Sequence, residues 1–266
     1  MSIQKFPLTT IQKVRQYIQS ALVLPESEQQ PPSTKTFEDD NEVPEPESLD
    51  ALGDLFKFGG PSEILDSSAS ASGRWLVSAV NPADALIRLP GLTLKEGLRL
   101  VGYIYRSEKN GKGVVWAVPE VLSVTAELEK VLSDDLDLAH PPQPNQALKD
   151  VMESIEGDRS VVSFMVASIL RREMLEFGSA GKHCRWTHHR LIDGIPNTIV
   201  PDWRTAPPQE FAPRARIFPD GRAAVEFFTC RVAAPTAIFR HIDQYPADSY
   251  VVNSLDRAIA LVHRRS

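Results

Sequence analysis

Residues 98–118 read LRLVGYIYRSEKNGKGVVWAV, and this stretch does most to define the fold of the chain. Leu98 to Arg106 and Gly113 to Val118 are both rich in β-branched and aromatic residues, which favour strands. Between them, Asn110-Gly111 supplies the positive backbone φ that a tight hairpin turn requires. The stretch therefore predicts an antiparallel β-hairpin, which Pro119 ends because it cannot donate to a ladder.

A second hairpin is predicted over residues 214–232. Arg214 to Phe218 and Ala223 to Val232 flank Pro219-Asp220-Gly221, in which proline presets φ and glycine accepts the left-handed conformation. The second strand has few polar residues on either face. This pattern is typical of a central strand that is covered on both sides.

Helical patterns surround the two hairpins. Ser160 to Phe177 is apolar at nearly every position of its first half, which predicts a helix buried on most sides at the centre of the core. A strand is predicted for the His-rich segment from Lys182 to Arg190. Further helices are predicted for residues 120–132, 146–155, 236–245 and 255–264. The expected fold class is thus α+β, with antiparallel β-hairpins packed against helices.

The domain organisation has two interpretations. Each predicted hairpin is followed by a proline and a predicted helix. This pattern is compatible with two similar halves, residues 62–140 and 141–266, and a ligand cleft between them. No residues recur at a fixed period, so a single α+β body over residues 51–266 is the other interpretation.

The N-terminal segment, residues 1–24, predicts an amphipathic helix from about Thr10 to Leu22. A helix of this length is marginal alone in water. Its apolar face must therefore cover a surface, either on a partner protein or on the chain's own body. A third interpretation is an organelle-targeting peptide, because residues 1–24 contain no acidic residue.

Residues 25–50 predict a disordered acidic linker rich in Pro and Glu. It contains nine acidic residues and one lysine, and it has few apolar side chains. Burial of those few side chains cannot offset the entropy that the segment would lose on ordering. A short apolar segment follows at the start of the body. We expect the chain to bind a partner protein through the N-terminal helix, this apolar segment or the face of a hairpin. The expected partner-binding residues are Ile11, Val14, Ile18, Leu22, Leu55 and Phe56.

Charge and hydropathy narrow the choice of partners. The chain has a formal net charge of −6, of which the linker carries −8 and residues 1–24 carry +3, so the body is close to neutral at −1. Nucleic acid is not an expected partner, because binding to phosphate backbones needs a basic surface. The longest strongly apolar stretch, Val161 to Leu170, is about half the roughly 20 residues that span a bilayer. No membrane span is expected, and two cysteines without a signal-peptide pattern predict a cytoplasmic location.

The His-rich segment is the most suggestive of chemistry, since three of the six histidines lie in it together with Cys184. A zinc site is one hypothesis, with Cys184, His188, Cys230 and His241 as ligands. The paired Cys and His spacings typical of structural zinc sites are absent. A Cys184 nucleophile with His188 or His241 as base is a second hypothesis. A packed strand without chemistry is the third.

No phosphate-binding loop, nucleophile elbow, zincin, EF-hand or kinase motif occurs in the sequence. We therefore expect a non-catalytic accessory, assembly or regulatory factor that binds another protein through its tethered helix. The alternative is a small-molecule enzyme, such as a metal-assisted hydrolase, at the Cys/His residues. The first hypothesis requires no cofactor, and the alternative requires zinc.

Overall fold

The computed structural model describes residues 3–29, 73–107, 110–133 and 136–264. Strand outweighs helix in these residues, and the expected mixed α+β class is confirmed in that coarse form. Most of the predicted acidic linker, and the apolar segment with Leu55 and Phe56, lie outside the described residues. No helix within the described ranges has the length and apolar character needed to cross a membrane.

Strands and helices are numbered separately in chain order. The strands are β1 (Ile3–Lys5), β2 (Arg74–Val77), β3 (Leu92–Leu94), β4 (Leu98–Arg106), β5 (Gly111–Pro119), β6 (Ile155–Gly157), β7 (His189–Ile192), β8 (Ile199–Trp203), β9 (Arg214–Ile217), β10 (Ala223–Arg231), β11 (Ala237–Tyr245) and β12 (Asn253–Arg264). The α-helices are α1 (Leu8–Ala21), α2 (Glu26–Gln29), α3 (Thr125–Glu129) and α4 (Val161–Leu175).

The largest sheet is antiparallel and runs in the order β1-β9-β10-β11-β12-β8. Strand β10 is its centre, because it pairs with β11 along one edge and with two short strands along the other. Its first half, Ala223 to Glu226, pairs with β9, and its second half, Phe228 to Arg231, pairs with β7. The predicted hairpin of β9 and β10 is therefore confirmed as the middle of a larger sheet.

The pairing of the first predicted hairpin is also confirmed, since β4 pairs with β5 in register from Leu98 and Pro119 to Arg106 and Gly111. Its predicted turn at Asn110-Gly111 is wrong, because Gly111 pairs with Arg106 inside the ladder and does not have a positive φ. Strand β2 adds to the free edge of β4, which gives a three-stranded antiparallel sheet. Strands β3 and β6 form a separate two-stranded sheet.

Helix α4 lies at the centre of the core, as its sequence predicts. Ser160 caps its first turn by accepting a hydrogen bond from the backbone N–H of Ser163 at 3.1 Å. Side chains around the whole helix are buried, and Phe164, Met165 and Ile169 have no exposed surface. The helix packs against α1, β5, β9 and β10, so it joins the three-stranded sheet to the large one.

Helix α1 packs on the body of the same chain. Ile11 and Ile18 are 2% and 0% exposed, Leu22 is buried beside them, and Val14 is partly buried against the same cluster. The neighbours of this face include α4. The apolar face of the N-terminal helix therefore covers the protein's own core.

Two predicted helices are wrong, because residues 236–245 and 255–264 form β11 and β12. A strand period of two is present in β11, but polar residues occupy its buried positions. His241 and Asp243 are 2% and 0% exposed, while Arg240 before them and Gln244 after them are exposed. The prediction failed because a buried ion pair, described below, places charged residues where an apolar pattern is expected.

Three other segments also differ from their predictions. Residues 146–155 are a loop that ends in the 3-10 turn Val151–Ser154, since Ile155 leaves to pair with β3. Residues 120–132 contain only a 3-10 turn and the short α3. The predicted strand at 182–190 is two 3-10 turns, Gly181–His183 and Trp186–His188, followed by β7. Because β10 leads into β11, the predicted helix after the second hairpin is absent. The division of the body into two halves stays a prediction.

Candidate functional site

A cavity of about 960 Å³ lies where the end of α4 faces the two 3-10 turns, β7, the end of β10 and β11. Its volume falls within the range of about 300–1,000 Å³ that is usual for small-molecule sites. The cavity, called the basic cavity below, has polar and charged lining residues: Lys112, Arg171, Arg172, Glu176, Lys182, His183, Cys184, Arg185, His188, His189, Arg231, His241 and Asp256.

The charges around the basic cavity are strongly unbalanced. Six cationic side chains line it, against the two carboxylates of Glu176 and Asp256. Among the described residues, five of the six cations have no carboxylate partner, and these are Lys112, Arg171, Lys182, Arg185 and Arg231. A nearly neutral body thus gathers a local excess of positive charge at one cavity.

Arg172 is the cation that is paired. Its guanidinium donates to both oxygens of Asp243, at 2.5 and 2.9 Å, and to Asp256 at 2.8 Å. The rings of Phe227 and Trp186 pack near it at 4.9 and 5.6 Å. Burial alone would lower the pKa of Arg172, but the charges of Asp243 and Asp256 outweigh burial and raise its pKa above the ordinary value. Arg172 therefore stays charged and ties α4 to β11 and β12.

A chain of three hydrogen bonds runs along the wall formed by β7, β10, β11 and β12. Nδ1 of His189 lies 2.7 Å from Oγ1 of Thr229, and the same oxygen lies 2.8 Å from Nε2 of His241. Nδ1 of His241 lies 2.7 Å from Oδ1 of Asp256. Thr229 has no exposed surface, and the two histidines are 8% and 2% exposed. The four residues are called the His189–Asp256 relay below.

Burial keeps both histidines of the relay neutral at physiological pH. It lowers the pKa of His189 to about 3, assisted by the neighbouring His241, which disfavours a second proton, and by the charges of Arg231 and Arg15. The pKa of His241 is also lowered, because burial outweighs its hydrogen bond to Asp256. Partial burial would raise the pKa of Asp256, but the His241 hydrogen bond and the Arg172 charge hold its pKa below the ordinary value. The relay therefore joins two neutral imidazoles to a carboxylate.

The four residues of the zinc hypothesis are not all brought together. Cys184, His188 and His241 line the basic cavity. Cys230 follows Thr229 on β10, so its side chain points to the opposite face of the sheet and packs in a separate apolar cluster. In the part of the chain that the structure describes, no three His, Cys, Asp or Glu side chains are grouped so as to hold a metal ion.

The thiol of Cys184 is not activated as the nucleophile hypothesis requires. Burial and the nearby Glu176 raise the pKa of Cys184, although Arg106 acts in the opposite direction. Burial likewise raises the pKa of Cys230. Because the thiolate is the reactive form, both cysteines are mostly protonated and weakly nucleophilic at neutral pH.

Sequence reasoning missed most of this wall, namely Arg172, His189, Thr229 and Asp256. They come from α4, β7, β10 and β12, which are far apart in the chain. One local signal was available. Thr229 is a polar residue within the apolar strand β10, and a buried hydroxyl needs a hydrogen-bond partner.

Comparison of the chain with known protein families, with curated proteins and with solved structures finds no match. The function is therefore inferred from the residues and their geometry. The basic cavity offers positive charge without counter-ions, and the relay offers an ordered set of hydrogen-bonding groups beside it. This arrangement suits a small anionic ligand better than an apolar one.

Proposed function

We propose that the protein binds a small oxyanionic ligand, one that carries a phosphate or similar group, in the basic cavity. The observation that carries the proposal is that five cations at one cavity lack a carboxylate partner among the described residues. Like charges repel when they are gathered at one place, and a bound anion relieves that repulsion. Arginine and lysine are also the side chains that most often bind phosphate oxygens.

The cations differ in their freedom to bind. Arg231 is half-buried and is held by the carbonyl oxygen of Pro235, at 2.6 Å from Nη2, so its guanidinium is already oriented. Nε of Arg171 is buried without a hydrogen-bond partner. Lys182 and Arg185 are exposed and add charge at the border of the cavity. Oriented and exposed cations together suit a site that first attracts an anion and then fixes it.

Binding of simple anions tests this proposal. We expect isothermal titration calorimetry at low salt to detect 1:1 binding of inorganic phosphate, sulfate or pyrophosphate to the intact chain. Arg231→Gln and Arg171→Gln should each weaken the affinity roughly three- to tenfold, because each removes one charged contact. The matched control is Arg88→Gln, which makes the same change at an exposed arginine outside the cavity. The proposal fails if no anion binds, or if Arg88→Gln weakens binding as much as the cavity variants do.

The two functions expected from the sequence remain predictions. Partner binding through Ile11, Ile18 and Leu22 would require α1 to leave the core, because these side chains are buried there. A metal-assisted hydrolase would require a ligand set without Cys230, which faces away from the cavity. The unpaired cations favour anion binding over both.

A further inference from the structure

The His189–Asp256 relay determines which ring nitrogen of His189 carries the hydrogen. The carboxylate of Asp256 can only accept, so a neutral His241 must carry its hydrogen on Nδ1 and donate it to Asp256. Nε2 of His241 then bears a lone pair and accepts the only hydroxyl hydrogen of Thr229. The Thr229 oxygen is left as an acceptor, and it takes the hydrogen on Nδ1 of His189.

Nε2 of His189 therefore bears a lone pair. His189 is one of the residues that line the basic cavity. Its Nε2 makes no hydrogen bond to any described residue, and it is not among their fully buried unpartnered nitrogens, so solvent reaches it. Asp256 lines the same wall, and its side chain is 47% exposed. The cavity thus combines many hydrogen-bond donors with two acceptors that a ligand can reach.

Acceptors of this kind distinguish an oxyanion that carries a hydrogen from one that does not. Inorganic phosphate keeps at least one P–OH group at neutral pH, and a phosphate monoester keeps one below its second pKa of about 6. Sulfate has the same shape but no hydrogen to donate, so its oxygen would face the Nε2 lone pair without a hydrogen bond.

We propose that the basic cavity selects an oxyanion that carries a hydrogen, and this proposal rests on the proposed function. The ligand is either inorganic phosphate or a phosphate monoester in its monoanionic form, and its P–OH group donates a hydrogen bond to Nε2 of His189. The cations neutralise the charge of the ligand, and the relay sets the selectivity. His189 is thus a specificity-determining residue, and Thr229 and His241 are positioning residues that act through it.

The test compares phosphate with sulfate at equal ionic strength and pH 7, by calorimetry on the intact chain. We expect phosphate to bind about tenfold more tightly than sulfate. A difference of this size corresponds to one hydrogen bond that phosphate makes and sulfate does not. Thr229→Val keeps the shape of the side chain but removes the hydroxyl, so His189 can place its hydrogen on Nε2 and the preference should fall to within about twofold. Thr229→Ser keeps the hydroxyl and should keep the preference.

Two further measurements make the outcome decisive even if Thr229→Val folds poorly. Long-range ¹H–¹⁵N NMR on the unmodified protein should show the His189 ring protonated at Nδ1 and not at Nε2, with the signal assigned from its loss in His189→Gln. Methyl phosphate should bind well at pH 5.5 and more weakly at pH 7.5, while inorganic phosphate binds at both. This contrast tests whether the bound oxyanion must carry a P–OH group, and equal binding of methyl phosphate at the two pH values would overturn the selectivity proposal.

The results separate a failure of the selectivity proposal alone from a failure of the proposed function. Equal binding of sulfate and phosphate, or a hydrogen found on Nε2 of His189, overturns the selectivity proposal but leaves anion binding intact. A full phosphate preference retained in a folded Thr229→Val variant overturns it as well. If neither anion binds, the proposed function fails and the selectivity proposal fails with it.

Discussion

At the scale of single residues, Arg15 is the side chain that connects the N-terminal helix to the candidate site. Its guanidinium lies 2.6 Å from Oε1 of Glu173, 2.5 Å from the carbonyl oxygen of His189 and 3.1 Å from that of Trp186. It also packs over the Trp186 ring at 4.7 Å. One residue of α1 therefore holds the backbone at both ends of the second 3-10 turn, Trp186–His188, which leads into β7, where the relay begins.

Removal of Arg15 should be costly, because Glu173 would stay buried without its charged partner. We expect Arg15→Met to lower the free energy of unfolding by about 3–5 kcal/mol, as is usual when one member of a buried ion pair is removed. Urea unfolding followed by circular dichroism measures this change. Both side chains are buried, at 8% and 5% exposure.

The matched control for Arg15→Met is Arg99→Met. Arg99 pairs with Glu120 at 2.7 Å, but the two side chains are 59% and 56% exposed. Exposed ion pairs contribute little, so this variant should cost less than about 1 kcal/mol. Equal losses in the two variants would contradict the buried role of Arg15.

At the scale of elements, the sequence predicted what is determined locally. The two hairpins have turn residues and strand composition within about 20 positions, and α4 has an uninterrupted apolar first half. Strands β11 and β12 were predicted as helices because Pro235 and Ser254 resemble helix starts. Their strand identity comes from pairing with β10 and β8, which is a tertiary interaction.

The candidate site was less predictable than the fold for the same reason. Its polar residues come into contact only in the folded chain. His241 and Asp256 are neighbours across paired strands, and Arg172 contacts Asp256 from α4. The sequence singled out His241 and Cys184, which both line the basic cavity, but it grouped them with Cys230 by residue type alone. A residue type carries no information about which face of a strand its side chain takes.

The packing of α1 on the body leads to a prediction at the scale of elements. Ile18 has no exposed surface, so Ile18→Ala should lower the free energy of unfolding by about 2–4 kcal/mol through lost burial and a residual cavity. Val23 lies close by in the chain but is 62% exposed, and Val23→Ala should change stability by less than about 0.5 kcal/mol. Thermal and urea unfolding of the two variants give the comparison. If Ile18→Ala were as stable as the unmodified chain, α1 would not be packed on its own body.

At the scale of the whole molecule, the distribution of charge matters more than its total. The chain is acidic overall, at a formal net charge of −6, and its body is near neutral, yet one cavity collects six cations. The structure keeps neutral imidazoles beside those cations by burying them. The same burial that orders the relay for binding therefore makes the stability of the protein depend on pH.

That dependence can be predicted with its sign. Histidine in an unfolded chain has a pKa of about 6.5, whereas the pKa of His189 in the folded protein is lowered to about 3 by burial and by His241, Arg231 and Arg15. Both relay histidines thus stabilise the fold fully above about pH 6.5, and this contribution is lost as the pH falls, because only the unfolded chain takes up the protons. Asp256, whose pKa is also lowered, adds a further loss once the pH falls below about 4.

Urea unfolding at pH 7.5, 6.5, 5.5 and 4.5 should therefore show stability nearly constant between the two higher values and falling at the two lower ones. The slope should be at most about 1.4 kcal/mol per pH unit for each histidine. His189→Gln should make the slope shallower, because glutamine does not titrate, whereas His140→Gln, at a 78% exposed side chain outside the cavity, should leave it unchanged. If neither His189→Gln nor His140→Gln changes the slope, burial does not hold His189 neutral. The hydrogen-bond order assigned to the relay would then be wrong as well.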